Sequence, residues 1–101
     1  MAASNTSGNN DNFTLNNVAA GTYTFQARQG RYVWGFKATG SGSLTIGFLL
    51  ADGTSVVPLV NSTTATVNGG SVDLPNGVIT VVIAGFSANY LTLQRVSYGL
   101  N

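Results

Sequence analysis

The segment 30–59 constrains the fold most, because it contains two strand-length runs in which apolar and polar side chains alternate. The apolar positions are Tyr32, Trp34, Phe36 and Ala38 in the first run, and Leu44, Ile46, Phe48 and Leu50 in the second. A period of two predicts β-strands, each with one apolar face. Such a face leaves water only under a second layer, so this segment predicts a sheet covered by another sheet or by helices.

The rest of the chain repeats the pattern of short strands and turn residues, and no segment shows a helical period. Turns are predicted at 40–42, at Asp52 and Gly53, at 68–70 and at 75–77, and the β-branched run 63–67 is predicted to be a strand of its own. Pro58 lacks an amide donor, which predicts an edge strand or a bulge there. About eight short strands at regular spacing predict an all-β fold, a single antiparallel β-sandwich that is jelly-roll-like.

The alternation also predicts the core. We expect the following side chains to pack together inside the sandwich: Tyr32, Trp34, Phe36, Leu44, Ile46, Phe48, Ile79, Val81 and Ile83. An exposed aromatic cluster could instead form a platform for a sugar, but the periodicity of Tyr32, Trp34 and Phe36 favours the core.

A chain of 101 residues is long enough for one core, so we expect one domain. Residues 1–12 are polar and without period, which predicts a flexible N-terminal arm, followed by a β-sandwich domain over residues 13–101. The arm is either a disordered tail or a segment that becomes ordered on a neighbouring subunit. In the second case its contact residues would be Asn9, Asn10, Asp11 and Asn12.

Charged residues make up only 7% of the chain, against an average of about 25% in soluble proteins. Such a surface is typical of a protein packed against partners or exposed outside a cell. The formal net charge is +1 and the four cationic side chains are scattered, so no nucleic-acid partner is expected. The N-terminus lacks the features of a signal peptide and no run approaches the length of a membrane span, so we expect synthesis in a cytoplasm and no membrane partner.

The chain lacks the usual groups of catalysis, since it has no His, no Cys and no Glu. Turn or solvent positions account for its acidic residues, Asp11, Asp52 and Asp73, so the inventory predicts a protein that is not an enzyme. Neither the ligands favoured by zinc nor the carboxylate run favoured by calcium is present, and we expect no metal and no cofactor.

Two further features predict contacts with other subunits. The strand 78–84 is apolar on both faces, and the second face, with Val78 and Val82, predicts either a subunit contact in a dimer or trimer or a covering loop of the chain itself. Tyr90 and Tyr98 lie on the less apolar face of the last strand and are candidates for exposed contacts.

From residue 30 onward, the order of motifs resembles a class of small virion proteins of tailed bacteriophages. The motifs are YVW at 32–34, GSG at 40–42, LTI at 44–46, DGT at 52–54, TVNG at 66–69, LPNG at 74–77 and LQRV at 93–96. The resemblance implies a head decoration or cement protein, a β-sandwich that binds the major capsid protein on the outer capsid surface of the virion. Such a protein stabilises the shell by binding its assembled form.

Two other functions fit the same residues. The first is a receptor- or glycan-binding β-sandwich module at the tip of a tail fibre, which binding to immobilised glycans would identify. The second is an extracellular bacterial adhesin domain, which the missing signal peptide disfavours.

Overall fold

A computed structural model describes residues 6–9 and 12–97. These residues form nine strands. They are β1 (Thr6–Asn9), β2 (Asn12–Val18), β3 (Gly21–Ala27), β4 (Gly30–Thr39), β5 (Ser43–Leu49), β6 (Val56–Ser62), β7 (Asn68–Leu74), β8 (Gly77–Ala84) and β9 (Ser87–Ser97). The described residues contain no helix of the length and hydrophobicity needed to cross a membrane.

The strands form two sheets, and every pair is antiparallel. Sheet A has the order β1-β2-β9-β4-β7 and sheet B has the order β3-β8-β5-β6. The chain crosses repeatedly between the two layers, so neighbouring strands are mostly distant in sequence. The predicted all-β sandwich of jelly-roll type is confirmed.

The core lies between the two sheets, on the faces that the alternation predicts. Seven of the nine predicted core residues are buried, whereas Trp34 and Phe48 are only partly buried and pack against the rim of the core. Trp34 is less covered because its partner on the edge strand β7 is Gly70, which has no side chain to shield the indole. At the other side of the sandwich, Phe13 of sheet A stacks on Phe25 of sheet B with ring centroids 4.5 Å apart.

The sequence-based assignment of residues 63–70 is wrong in two places. Residues 63–67 form the connection from sheet B to sheet A rather than a strand, and the predicted turn at 68–70 is the beginning of β7. The Asn68 side chain holds this connection by donating to the carbonyls of Thr64 and Thr66 at 3.0 and 2.6 Å. Gly69 is glycine because a Cβ there would overlap the Trp34 carbonyl, so it marks a close strand contact instead of a turn.

The prediction for Pro58 is confirmed. Its strand, β6, is an edge of sheet B, and the pairing with β5 shifts register between Ile46 and Gly47, as a bulge requires.

Residues 1–12 were predicted to form an arm, and β1 lies within that range. It pairs with β2 of its own chain at the edge of sheet A. Residues 1–5, 10 and 11 lie outside the described residues.

The connection between β5 and β6 is longer than the tight hairpin turn that Asp52 and Gly53 predict. It spans residues 50–55 and is closed by a bond from the Leu50 amide to the Ser55 carbonyl, 2.8 Å long. Within this connection, Gly53 alone has a positive φ, at 80°. The Asp52 carboxylate accepts hydrogen bonds from the Ser55 hydroxyl and from the amides of Ser55 and Thr54. These bonds stabilise its ionised form and lower the pKa of Asp52 from 3.8 to about 2.

This lowered pKa predicts a pH-dependent contribution of Asp52 to stability. The contribution is complete above the unfolded-state pKa of 3.8 and is lost as the pH falls through the folded-state pKa of about 2. We therefore expect the urea midpoint of Asp52→Asn to lie below that of the wild type at neutral pH, and the gap to close between about pH 4 and pH 2. A gap that stays constant over this range would contradict the assigned role of the carboxylate.

Candidate functional site

The structure divides the predicted contact residues between the two outer faces of the sandwich. Asn12 and Tyr90 are exposed on the outer face of sheet A. Asn9 is the last residue of β1. Val78 and Val82 point outward from sheet B. Asn10, Asp11 and Tyr98 lie outside the described residues. The candidates therefore do not form one site, and each face has to be judged by its own geometry.

The outer face of sheet B is partly covered by the chain itself. Thr80 lies on this face between Val78 and Val82, yet it is only 2% exposed. The bulged strand β6 bends over the neighbouring Gly47, where a Cβ would overlap the Val57 carbonyl. Val78 remains 39% exposed and Val82 is half-buried, so some apolar surface is left on this face.

The outer face of sheet A has a different form, because its strand register aligns small residues in one row across four strands. The central row, in the order β2, β9, β4 and β7, consists of Thr14, Thr92, Gly35 and Gly69. The row on one side consists of Asn16, Tyr90 and Lys37. The row on the other side consists of Asn12, Gln94 and Val33. The small central row forms a groove between two taller rows, and we call it the transverse groove.

The dimensions of the transverse groove follow from strand geometry. Strands lie about 4.8 Å apart, so the central row extends roughly 14 Å across the sheet. Residues two apart on one strand are about 6.8 Å apart, so the two bordering rows are separated by roughly 14 Å. The groove thus has the width and length to hold a short chain-like ligand lying across the strands.

The two glycines of the groove floor have different physical origins. Gly69 is required by its close approach to the Trp34 carbonyl. Gly35 is not sterically required: a Cβ there would meet only the Asn68 carbonyl, at 4.0 Å, and its φ is not in the left-handed region. A glycine inside a strand costs about 0.5–1 kcal/mol relative to alanine, and it often marks a place where a ligand approaches closely. Gly35 therefore lowers the stability of the strand, and it leaves the centre of the groove free of side-chain atoms.

The row with Tyr90 carries the aromatic ring of the groove. Tyr90 is 40% exposed, and the Lys37 ammonium lies over its ring, 5.7 Å from the centroid. This cation–π contact orients both side chains along the border of the groove. Asn16 of β2 pairs with Tyr90 of β9, and its side chain is exposed.

Backbone irregularities cluster beside this row. The only two described non-glycine residues with positive φ are Asn17, at 56°, and Ala88, at 51°. Asn17 follows Asn16 at a register shift in β2, and Ala88 lies two residues before Tyr90. The pairing of β4 with β9 has a further register shift between Lys37 and Thr39. Bulges and strained residues reorient side chains and are common beside functional sites.

The strain at Ala88 can be measured. A left-handed conformation is unfavourable for alanine and costs nothing comparable for glycine, so Ala88→Gly should stabilise the protein by up to about 1 kcal/mol. Ala84→Gly, at an exposed strand end without positive φ, is the matched control and should destabilise by about 0.5–1 kcal/mol. Urea denaturation of both variants tests the pair. Equal losses of stability would show that Ala88 is not strained.

The groove is lined by groups suited to hydrogen bonding with a neutral polar ligand. Thr, Asn and Gln side chains both donate and accept hydrogen bonds. Among the described residues, no cluster of three or more His, Cys, Asp or Glu side chains could hold a metal ion. Sequence reasoning found Asn12 and Tyr90 but missed Lys37, Gly35, Thr92 and Gln94. The available signal was Gly35, a glycine in the middle of a predicted strand.

Solved structures with a similar fold are variants of CBM29-2, a family 29 carbohydrate-binding module studied for its mechanism of ligand recognition. One has 12% sequence identity and a TM-score of 0.51, with 83% of this chain and 62% of that chain covered. Another has 14% identity and a TM-score of 0.50, with 89% of this chain and 71% of that chain covered. No protein-family model and no curated protein matches the chain. At this identity the likeness concerns the fold alone, an antiparallel β-sandwich.

Proposed function

We propose that this protein is a glycan-binding β-sandwich module that holds an oligosaccharide in the transverse groove of sheet A. The observation that carries the proposal is the register that aligns Thr14, Thr92, Gly35 and Gly69 between two rows of larger, mostly polar side chains. The fold shared with carbohydrate-binding modules supports it. This is the glycan-binding alternative that the sequence left open.

The chemistry of the groove suits a sugar chain. Each sugar ring presents hydroxyl groups that donate and accept, as do the side chains of Asn12, Gln94 and Asn16. The Tyr90 ring offers an apolar face for the C–H side of a sugar, with its hydroxyl free to remain in water. The short side chains of the floor let the ligand approach the sheet closely, and the bulges beside Tyr90 hold the border of the groove in place before the ligand arrives.

We also propose that the module is non-catalytic. Binding uses surface and hydrogen bonds, whereas hydrolysis of a glycosidic bond normally requires a pair of carboxyl groups beside the bond. The described carboxylates, Asp52 and Asp73, instead make contacts within the protein. Asp52 closes the loop after β5, and Asp73 pairs with Arg31 at 3.2 Å.

The experiment is a glycan array with the labelled protein, followed by titration of any positive oligosaccharide in an NMR experiment that resolves each backbone amide. We expect binding to a subset of oligosaccharides, with shifts concentrated at Thr14, Gly35, Tyr90 and Thr92. Shifts confined to sheet B would place the site elsewhere. Absence of binding to every oligosaccharide at millimolar concentration would refute the proposal.

A second candidate is virion decoration, which the ordered motifs from residue 30 onward and the sparse charge support. In this case the partner would be the major capsid protein, the location would be the outer capsid surface, and the protein would act as a dimer or trimer. The residues proposed for these contacts are those of 9–12, Tyr90 and Tyr98, together with Val78 and Val82 on the face opposite the transverse groove.

Binding to phage capsids that lack their decoration protein tests this candidate. Deletion of residues 2–12 should reduce occupancy of the shell if the N-terminal segment makes capsid contacts. Because β1 lies within this range, the melting temperature of the shortened protein has to be measured in parallel. Wild-type occupancy after deletion would show that this segment is not needed.

A further inference from the structure

The strand β7 is an edge of sheet A that lacks proline, bulges and cationic side chains. Each sheet ends in two edge strands: β1 and β7 in sheet A, and β3 and β6 in sheet B. β6 carries Pro58 and a bulge, and β3 is contacted by β1. β7 has neither proline nor bulge nor a cationic residue, and it pairs with β4 over its full length without a register shift. Natural proteins usually protect edges with such features, so an edge that lacks them is available for pairing.

We propose that two copies of this chain associate through β7, antiparallel, about a two-fold axis centred on Ser71. Ser71 is the middle residue of this seven-residue strand, so this register pairs all seven residues of one copy with those of the other. The axis runs perpendicular to the sheet, and the two copies of sheet A form one continuous sheet. A two-fold arrangement uses the same surface on both subunits and closes at the dimer.

The side chains of β7 are complementary to themselves in this register. Val72 of one copy lies opposite Gly70 of the other, where the missing side chain leaves the Trp34 indole partly uncovered. Asp73 lies opposite Gly69 of the other copy, so the two carboxylates do not face each other. Each Asp73 also keeps its own partner, Arg31.

The charge of the chain favours a second copy as the occupant of this edge. The formal net charge is +1, so two copies repel each other weakly. Trp34 and Val72 are half-buried, and an apolar side chain opposite Gly70 would cover them. In the proposed register Val72 of the second copy lies at this position. In the dimer both transverse grooves lie on the same side of the continuous sheet.

The experiment uses the absence of cysteine in the chain, which allows a single thiol to be introduced. In the proposed register Ser71 faces Ser71 of the second copy, and directly opposed residues have Cα atoms about 4.5–5.5 Å apart, within the range that a disulfide spans. Ser71→Cys should therefore form a disulfide-linked dimer under mild oxidation. Asp73→Cys is the matched control on the same edge and face, but its counterpart would lie roughly 14 Å away, too far to bridge.

A charge pair gives a second, independent measurement. Ser71→Lys places two ammonium groups opposite each other, and Ser71→Asp places two carboxylates there, so each variant should be monomeric in sedimentation equilibrium at concentrations where the wild type dimerises. A mixture of the two should dimerise again. Circular dichroism checks that both are folded, which is expected because Ser71 is exposed. Equal cross-linking of Ser71→Cys and Asp73→Cys, or a wild type that stays monomeric at millimolar concentration, would overturn the proposal.

Discussion

Replacing Gly35 by tyrosine is expected to weaken glycan binding at least tenfold and to leave the fold intact. The new side chain fills the centre of the transverse groove, where a Cβ meets no atom closer than 4.0 Å. Tyrosine is a good strand former, so the free energy of unfolding should stay the same or rise by about 0.5–1 kcal/mol. Titration calorimetry with an oligosaccharide from the array, together with urea denaturation, measures both quantities.

Two variants control this experiment. Gly35→Ala adds only a methyl group and should give a smaller loss of affinity than tyrosine. Thr24→Tyr adds the same ring to the outer face of sheet B, where Thr24 is exposed, and should bind glycans like the wild type. If Gly35→Tyr binds glycans normally while the wild type also binds, the ligand lies outside the transverse groove. If Thr24→Tyr loses binding instead, the site is on sheet B.

Replacing Tyr32 by alanine is expected to cost about 3–5 kcal/mol of stability, which would unfold a large fraction of a domain of marginal stability. The Tyr32 ring is completely buried, and its hydroxyl donates to the Arg28 carbonyl at 2.8 Å and accepts from the Arg28 amide at 3.2 Å. Alanine removes the ring from the core and both bonds from the end of β3. Tyr32→Phe keeps the ring and should cost only about 1 kcal/mol.

Trp34→Ala is the informative comparison, because both residues belong to the same alternating run. Trp34 is only partly buried beside Gly70, so its loss should cost about 2 kcal/mol, less than the loss of Tyr32. Urea denaturation of the variants at neutral pH gives the order of the effects. A larger loss for Trp34→Ala than for Tyr32→Ala would contradict the position of Trp34 at the rim of the core.

These stability effects and the binding effect are separable, because they lie on opposite faces of the same strand. Residues 32, 34 and 36 of β4 point inward, and residues 33, 35 and 37 point outward. A change at Tyr32 acts through packing, whereas a change at Gly35 acts on the shape of the outer surface. Comparing them in one strand distinguishes a role in folding from a role in binding.

The faces of the strands could be predicted from sequence because each depends on a local pattern. Alternation with a period of two assigns Tyr32, Phe36, Leu44 and Ile46 to the core whatever strands lie beside them, and all four are buried. For the same reason the sandwich and the edge position of Pro58 could be predicted.

The neighbours of each strand were decided only by the tertiary structure. The groove joins Thr14, Gly35, Gly69 and Thr92, which come from four strands that a sheet order of β2-β9-β4-β7 brings together. Pairing between distant segments depends on how whole faces pack, and no local pattern encodes it. Gly69 illustrates the limit: a glycine tolerates a turn and a close backbone approach equally well, and only the presence of the Trp34 carbonyl beside it determines which of the two is present.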